Sequence, residues 1–182
     1  MKDMSNEISE IDLRHYKMIR ENVSRFLKTC AEKYDTNGYL LDIAPQDHEG
    51  AKAYFSKMAV ETLDINPISE ATYIADLCQD NADTIEGNRF DIVVCTEVLE
   101  HTLNPFAAVG EIKRILRKGG KVFFSAPFNF RIHGPLPDCW RFSEHGWRAL
   151  LADGWKIIEI KSLESDRFLA PVHYTVIAEK IV

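Results

Sequence analysis

The run Phe90-Asp91-Ile92-Val93-Val94-Cys95-Thr96 is apolar at nearly every position, without the alternation of a half-exposed strand. Such a strand is buried on both faces, which occurs inside parallel sheets covered by helices. The surrounding chain supports that reading. The spacing of Ile11, Tyr16, Ile19, Val23, Phe26, Leu27 and Cys30 predicts a helix over Ser9 to Lys33. Short apolar runs at Tyr39–Ile43, Val60–Ile65 and Tyr73–Ala75 predict three strands, with a short helix over Ala51–Met58 after the first. Asn104-Pro105 caps and opens a helix expected to run through Arg117, stopped by Gly119-Gly120 ahead of a fifth strand at Lys121–Ser125.

The end of the chain breaks this rhythm. Lys156–Leu163 and His173–Lys180 both read as strands, with about nine residues between them. A parallel crossover needs a dozen or more residues, so this pair is expected to be an antiparallel hairpin. The expected fold is therefore α/β, with a mostly parallel sheet and an antiparallel final strand. At 182 residues the chain is expected to be one domain, with residues 1–36 as a helical cover.

Three carboxylates stand where three successive strands end: Asp42, Asp64 and Asp76. Open parallel sheets bind ligands beyond the carboxyl ends of their strands. An acid after the second strand can accept both hydroxyls of a ribose, and Asp76 with Leu77 suits an adenine. The alternative is that each Asp caps a turn, which Asp does readily.

The block Phe90 to His101, ending Glu97-Val98-Leu99-Glu100-His101, resembles the fourth-strand motif of class I S-adenosylmethionine methyltransferases. Glu111-Ile112-Lys113-Arg114-Ile115-Leu116-Arg117-Lys118-Gly119-Gly120 and Val122-Phe123-Phe124-Ser125 are similar to the helix and strand that follow it there. The resemblance covers about Tyr39 to Pro127. It implies a three-layer Rossmann-like fold with a seven-stranded sheet and S-adenosylmethionine as cofactor. It places Thr96 and Glu97 near the methionine part, with Glu97 reaching the amino group through water. His101 falls over the adenosine or beside the methyl. Asp42, Ala44, Gln46, Asp64, Ile65, Asp76 and Leu77 complete the implied cofactor set. The glycine-rich loop departs from the pattern: Asp42-Ile43-Ala44-Pro45-Gln46-Asp47-His48-Glu49-Gly50 has Ala44 at the first glycine position. Alanine fits there where φ stays negative but crowds a close approach. Either the loop takes another path, with Gln46 or Asp47 making contacts, or cofactor binding is lost.

A second informative stretch, 127–142, is long for a connection and dense in proline and aromatic residues. Its His133-Gly134-Pro135-Leu136-Pro137-Asp138-Cys139-Trp140-Arg141-Phe142 resembles an insertion in methyltransferases associated with cell-surface polysaccharide biosynthesis. That implies a small polar acceptor such as a sugar or phosphate derivative. His133 is the candidate general base, with His101 in reserve, because imidazole titrates near neutrality. Asp138, Trp140 and Arg141 are candidate acceptor contacts, Arg141 by a bidentate grip on an anion. The rival reading makes the segment a structural lid in which Asp138 and Arg141 pair while Trp140 and Phe142 pack.

Other classes are weaker fits. The four cysteines are scattered without a close pair, so no metal site is expected. The net charge of −6 and the lack of a strong basic cluster make nucleic acid a poor partner. No apolar run reaches transmembrane length and the start is polar, so a cytoplasmic protein, monomeric or homodimeric, is expected. An NAD-dependent oxidoreductase and a catalytically silent nucleoside-binding module stay open as alternatives.

Overall fold

A computed structural model describes residues 8–45 and 50–182. Helix α1 (Glu10–Tyr34) is followed by β1 (Gly38–Ile43), a one-turn 3-10 helix at Gly50–Ala53, β2 (Met58–Asp64), β3 (Tyr73–Ile74) and β4 (Phe90–Thr96). A short 3-10 turn (Leu99–His101), α2 (Pro105–Ile115), β5 (Leu116–Pro127), α3 (Glu144–Leu150), β6 (Trp155–Leu163) and β7 (His173–Lys180) complete the chain.

The seven strands form one sheet in the order β3-β2-β1-β4-β5-β7-β6. Pairings from β3 through β5 are parallel, and β7 runs antiparallel to both β5 and β6. The expected terminal hairpin is thus present, inserted so that β7 lies between β5 and β6. Successive residues of the central strands divide between two cores. Leu41, Val93, Cys95 and Phe124 face α2 and α3, while Leu40, Ile92, Val94 and Phe123 face α1. This two-sided burial is what the unbroken apolar run in β4 demanded.

Local chemistry shifted several boundaries. The helix expected over Ala51–Met58 is one 3-10 turn, because the Asp35 carboxylate accepts the amides of Ser56 (3.1 Å) and Lys57 (3.0 Å). Those donors are lost to a helix, and Met58 opens β2 instead. Helix α2 ends at Ile115 rather than Arg117. The chain enters β5 at once, and Gly119-Gly120 forms a bulge inside the strand: Phe90 pairs with Leu116, but Ile92 pairs with Lys121. A Cβ on Gly120 would stand 2.8 Å from the Arg117 carbonyl, so the bulge needs glycine there. Helix α3, capped by Ser143, was not anticipated; its Trp147 is fully buried against Phe124 and Phe142.

Candidate active site

Two cavities adjoin beyond the carboxyl ends of β1 to β4, and Ala44 lines both. The first, about 360 Å³, is bounded by Asp64, Ile65, Asp76, Leu77, Val98 and His101, among others. Asp64 spends Oδ1 on the Asn66 amide (2.8 Å), and Asp76 spends Oδ1 on the Cys78 amide (2.8 Å). Each acid therefore caps its turn and also lines the cavity. Ile65 is exposed and Leu77 buried, so the cavity offers apolar surface between two carboxylates.

The second cavity, about 310 Å³, is polar and includes Asp42, Thr96, Glu97, Gly50 and Tyr54, with Arg20 from α1. Asp42 is buried and accepts the Ala51 amide at 2.6 Å. Burial pushes its pKa up to about 6, against the opposing pull of that hydrogen bond. Gly50 has φ +54, and a Cβ there would run into the Asp42 carboxylate and Pro45. The glycine missing from the start of the loop thus reappears at its end, where the backbone meets Asp42. Ala44 has φ 51, not the negative φ at which alanine fits easily, so this residue carries the backbone strain of a glycine position. Gln46 and Asp47 lie outside the described residues.

Glu97 also has a positive φ, 56. Its Oε1 accepts from Ser125 Oγ (2.7 Å) and from Nε2 of the fully buried His173 (2.7 Å). Asn22 donates to His173 Nδ1 at 2.9 Å and accepts from Arg25 at 3.2 Å, so a hydrogen-bonded chain runs from α1 through β7 to Glu97. Burial raises the Glu97 pKa, but His173 and Ser125 outweigh it and hold the carboxylate below its ordinary value. Three residues on, Glu100 is 0% exposed and neither carboxyl oxygen has a hydrogen-bond partner. Burial, reinforced by the charge of Glu97, holds its carboxyl well above the usual range.

The 127–142 segment is fastened over this turn. Cys139 and Trp140 amides donate to the Glu100 carbonyl (2.7 and 3.1 Å), and Trp140 Nε1 donates to the Thr102 carbonyl (2.8 Å). His101 Nδ1 donates to the Pro137 carbonyl at 2.8 Å. The His101 and His133 rings meet edge to face, with centroids 4.9 Å apart. His133 has its pKa lowered by burial, with Asp138 pulling the other way. Its Nε2 lies 3.8 Å from Glu100 Oε1. His133 also lines a third cavity, a groove of about 680 Å³ between the start of α1 (Asp12, Leu13, Tyr16) and residues 130–136.

Arg141 is engaged within its own segment. It grips Asp138 through both terminal nitrogens (2.5 and 2.7 Å) and donates to the carbonyls of Trp140 (2.7 Å) and Arg131 (3.0 Å). Its terminal nitrogens are thus engaged inside the segment, and the bidentate contact expected for an acceptor's anion is made to Asp138. Trp140 stacks on Phe142 at 6.3 Å, as a structural lid requires. Sequence reasoning missed Arg20, Gly50 as a site residue, Glu100 and His173. Only Glu100 and Gly50 lay within motifs already singled out; a single arginine on a charged helix gives no signal of its own.

A parallel sheet in this order, closed by an inserted antiparallel strand and with acids at the strand ends, defines a class I methyltransferase fold. The chain belongs to the methyltransferase domain family, whose model matches residues 13–169, and S-adenosylmethionine is the cofactor this membership implies. A ubiquinone biosynthesis O-methyltransferase from Vibrio vulnificus (strain YJ016) is 29% identical over 129 residues, covering 68% of this chain and 50% of the relative. The chain spans half or less of the length of such curated relatives, down to 21% for one from Erwinia tasmaniensis. Among solved structures, a putative methyltransferase of Haloferax volcanii in complex with the Trm112 activator matches with a TM-score of 0.68 and 13% identity, covering 97% of this chain and all of that one. An N-methyltransferase from Bradyrhizobium japonicum matches at 0.62 and 14% identity, covering 90% and 96%. No helix among the described residues is long and apolar enough to cross a membrane.

Proposed function

We propose that the chain transfers the methyl group of S-adenosylmethionine to an oxygen of a small acceptor. The adenosine occupies the cavity between Asp64 and Asp76, with Asp64 on the ribose hydroxyls and Asp76 on the adenine amine beside Leu77 and Ile65. The methionine part occupies the polar cavity. There its amino group meets Asp42, Thr96 and Glu97, and its carboxylate meets Arg20, which forms no ion pair among the described residues. The observation that carries this reading is the continuity of the two cavities at Ala44, apolar beside Leu77 and polar beside Glu97, which matches the two ends of the cofactor.

His101 walls the cofactor cavity and His133 walls the groove, and the two rings touch. The acceptor enters through that groove. Its walls are mainly apolar (Ile8, Leu13, Tyr16, Ile132, Leu136) with Arg131 and Asp12 beside them. Such walls favour an acceptor with an apolar ring or chain next to its hydroxyl over a bare sugar phosphate. The acceptor oxygen forms a bond to the methyl carbon as the carbon–sulfur bond breaks. Its electron pair stays on sulfur, and the acceptor's proton is lost. Alignment supplies most of the acceleration; well-oriented reactants reach effective molarities of about 10⁵ M or more. The neutral imidazole of His133 suits a base, yet its Nε2 faces Glu100 rather than the open groove.

Methyl-labelled cofactor offered with phenols, lipid-linked hydroxyl compounds, sugars and sugar phosphates tests the reading. Label is expected in a hydroxyl acceptor that carries an apolar portion. Transfer to sugar phosphates alone would overturn the acceptor class, and transfer to amines alone would overturn oxygen as the methylated atom.

A further inference from the structure

We propose that Glu100, His101 and His133 together bind one divalent cation at the partition between the cofactor cavity and the acceptor groove. The inference rests on the proposed transfer for its purpose but not for its geometry. One ligand atom from each of the three side chains lies within 4.8 Å of the other two. The Nε2 atoms of His101 and His133 are each 3.8 Å from Glu100 Oε1. Metal–nitrogen and metal–oxygen bonds of about 2.0–2.2 Å place neighbouring ligand atoms roughly 3 Å apart. Closing the set therefore takes about 1 Å between each imidazole and Glu100 and no more than about 2 Å between the imidazoles, within reach of side-chain rotations.

Two further features favour a cation over a chance cluster. The first is the set-up of the imidazoles. Histidine ligands present one nitrogen to the metal while the other is held by a carbonyl or carboxylate. Here His101 Nδ1 donates to the Pro137 carbonyl, and His133 Nδ1 lies 3.1 Å from Asp138 Oδ2. Asp138 is itself clamped by Arg141. The His101 ring is thus held by its Nδ1 side, while His133 has the Asp138 carboxylate beside Nδ1 without a hydrogen bond; both Nε2 atoms lie toward Glu100. The second is Glu100 itself: it is fully buried, and both of its oxygens lack hydrogen-bond partners. Buried carboxyl groups normally find partners, and coordination to a metal is one way of doing so. Glu97 and Asp138 add negative charge nearby, partly offset by the guanidinium of Arg141.

Two imidazoles with one carboxylate suit Zn²⁺ or Mn²⁺, and three protein ligands leave positions open for a substrate oxygen. A hydroxyl bound there ionises more readily. Its proton passes to solvent, and the oxygen is left ready to attack the methyl carbon. His133 then acts as a ligand and not as the base. The expectation of no metal was drawn from cysteine spacing and did not weigh this set.

The test is calorimetric titration of the full chain, stripped with chelator, separately with Mn²⁺, Zn²⁺ and S-adenosylhomocysteine. One equivalent of Mn²⁺ or Zn²⁺ is expected to bind, and Glu100→Gln and His133→Ala are each expected to weaken it at least tenfold. Circular dichroism checks folding of Glu100→Gln, and His133→Ala, at a partly buried position in the lid segment, decides the matter if that variant is unfolded. Absence of one-equivalent binding by either ion, or equal affinity in folded variants, would overturn the site. Cation binding without S-adenosylhomocysteine binding would sink the methyltransferase reading and leave the site standing; the reverse result would do the opposite.

Discussion

His173, fully buried on β7, donates from Nε2 to Glu97 Oε1 across 2.7 Å, tying the inserted antiparallel strand to the end of β4. This contact links the part of the fold that identifies it to the part that would hold the methionine end of the cofactor. Replacing His173 with Ala leaves the Glu97 carboxylate without its main partner and strands Asn22. Leaving a mostly buried carboxylate without such a hydrogen bond costs about 1–3 kcal/mol. Urea denaturation should show that loss, together with weaker S-adenosylhomocysteine binding. Unchanged stability would mean that the pair contributes little.

Gly50 and Ala44 should respond in opposite ways. Gly50→Ala meets both a left-handed φ and the Asp42 carboxylate, so it should cost about 1–2 kcal/mol and weaken cofactor binding tenfold or more. Ala44→Gly relieves a left-handed alanine, which offsets the usual entropic cost of glycine, so its stability should stay within about 1 kcal/mol of the parent. Equal destabilisation by both substitutions would contradict the geometry of the loop.

Asp42 sets a pH dependence with a definite sign. Its folded pKa of about 6 lies above the ordinary 3.8, so the folded state binds the extra proton between about pH 4 and 6. Stability from this group therefore rises as pH falls through that window, and above it the buried charge costs about 3 kcal/mol. Asp42→Asn should be more stable than the parent at pH 7, by up to that amount, and close to it at pH 4. Urea midpoints at both pH values provide the check. S-adenosylhomocysteine should bind the variant less tightly. A variant no more stable at pH 7 would refute the burial cost.

Arg141→Ala should loosen the lid rather than remove an acceptor contact. The guanidinium holds Asp138 and the carbonyls of Arg131 and Trp140, so its loss leaves a buried carboxylate poorly paired. About 2 kcal/mol of stability and faster amide exchange over 130–142 should follow. A rise in KM alone, with exchange unchanged, would restore the anion-binding role.

Legibility followed the range of the physics. The burial of Phe90–Thr96 on both faces and the terminal hairpin were readable because apolar pattern and loop length are local properties. The strand-end acids were readable too, though not that Asp64 and Asp76 would each divide one oxygen for the turn from another for the cavity. What escaped depended on distant partners. Asp35 captured the amides that Ala51–Met58 needed for a helix, a pairing across 21 residues. Gly50 gained its meaning from Asp42, and Arg20 from a cavity built by two other strands. Arg141 looked like an anion receptor only while its bond to Asp138 was one of two open readings.

The central claim is that the paired cavities beyond β1 to β4 hold S-adenosylmethionine. Calorimetry of the parent chain and of Asp64→Ala with S-adenosylhomocysteine and with NAD tests it most directly. One equivalent of S-adenosylhomocysteine should bind, at least tenfold more weakly to Asp64→Ala, and NAD should not bind. Absence of S-adenosylhomocysteine binding, or tighter binding of NAD, would contradict the account.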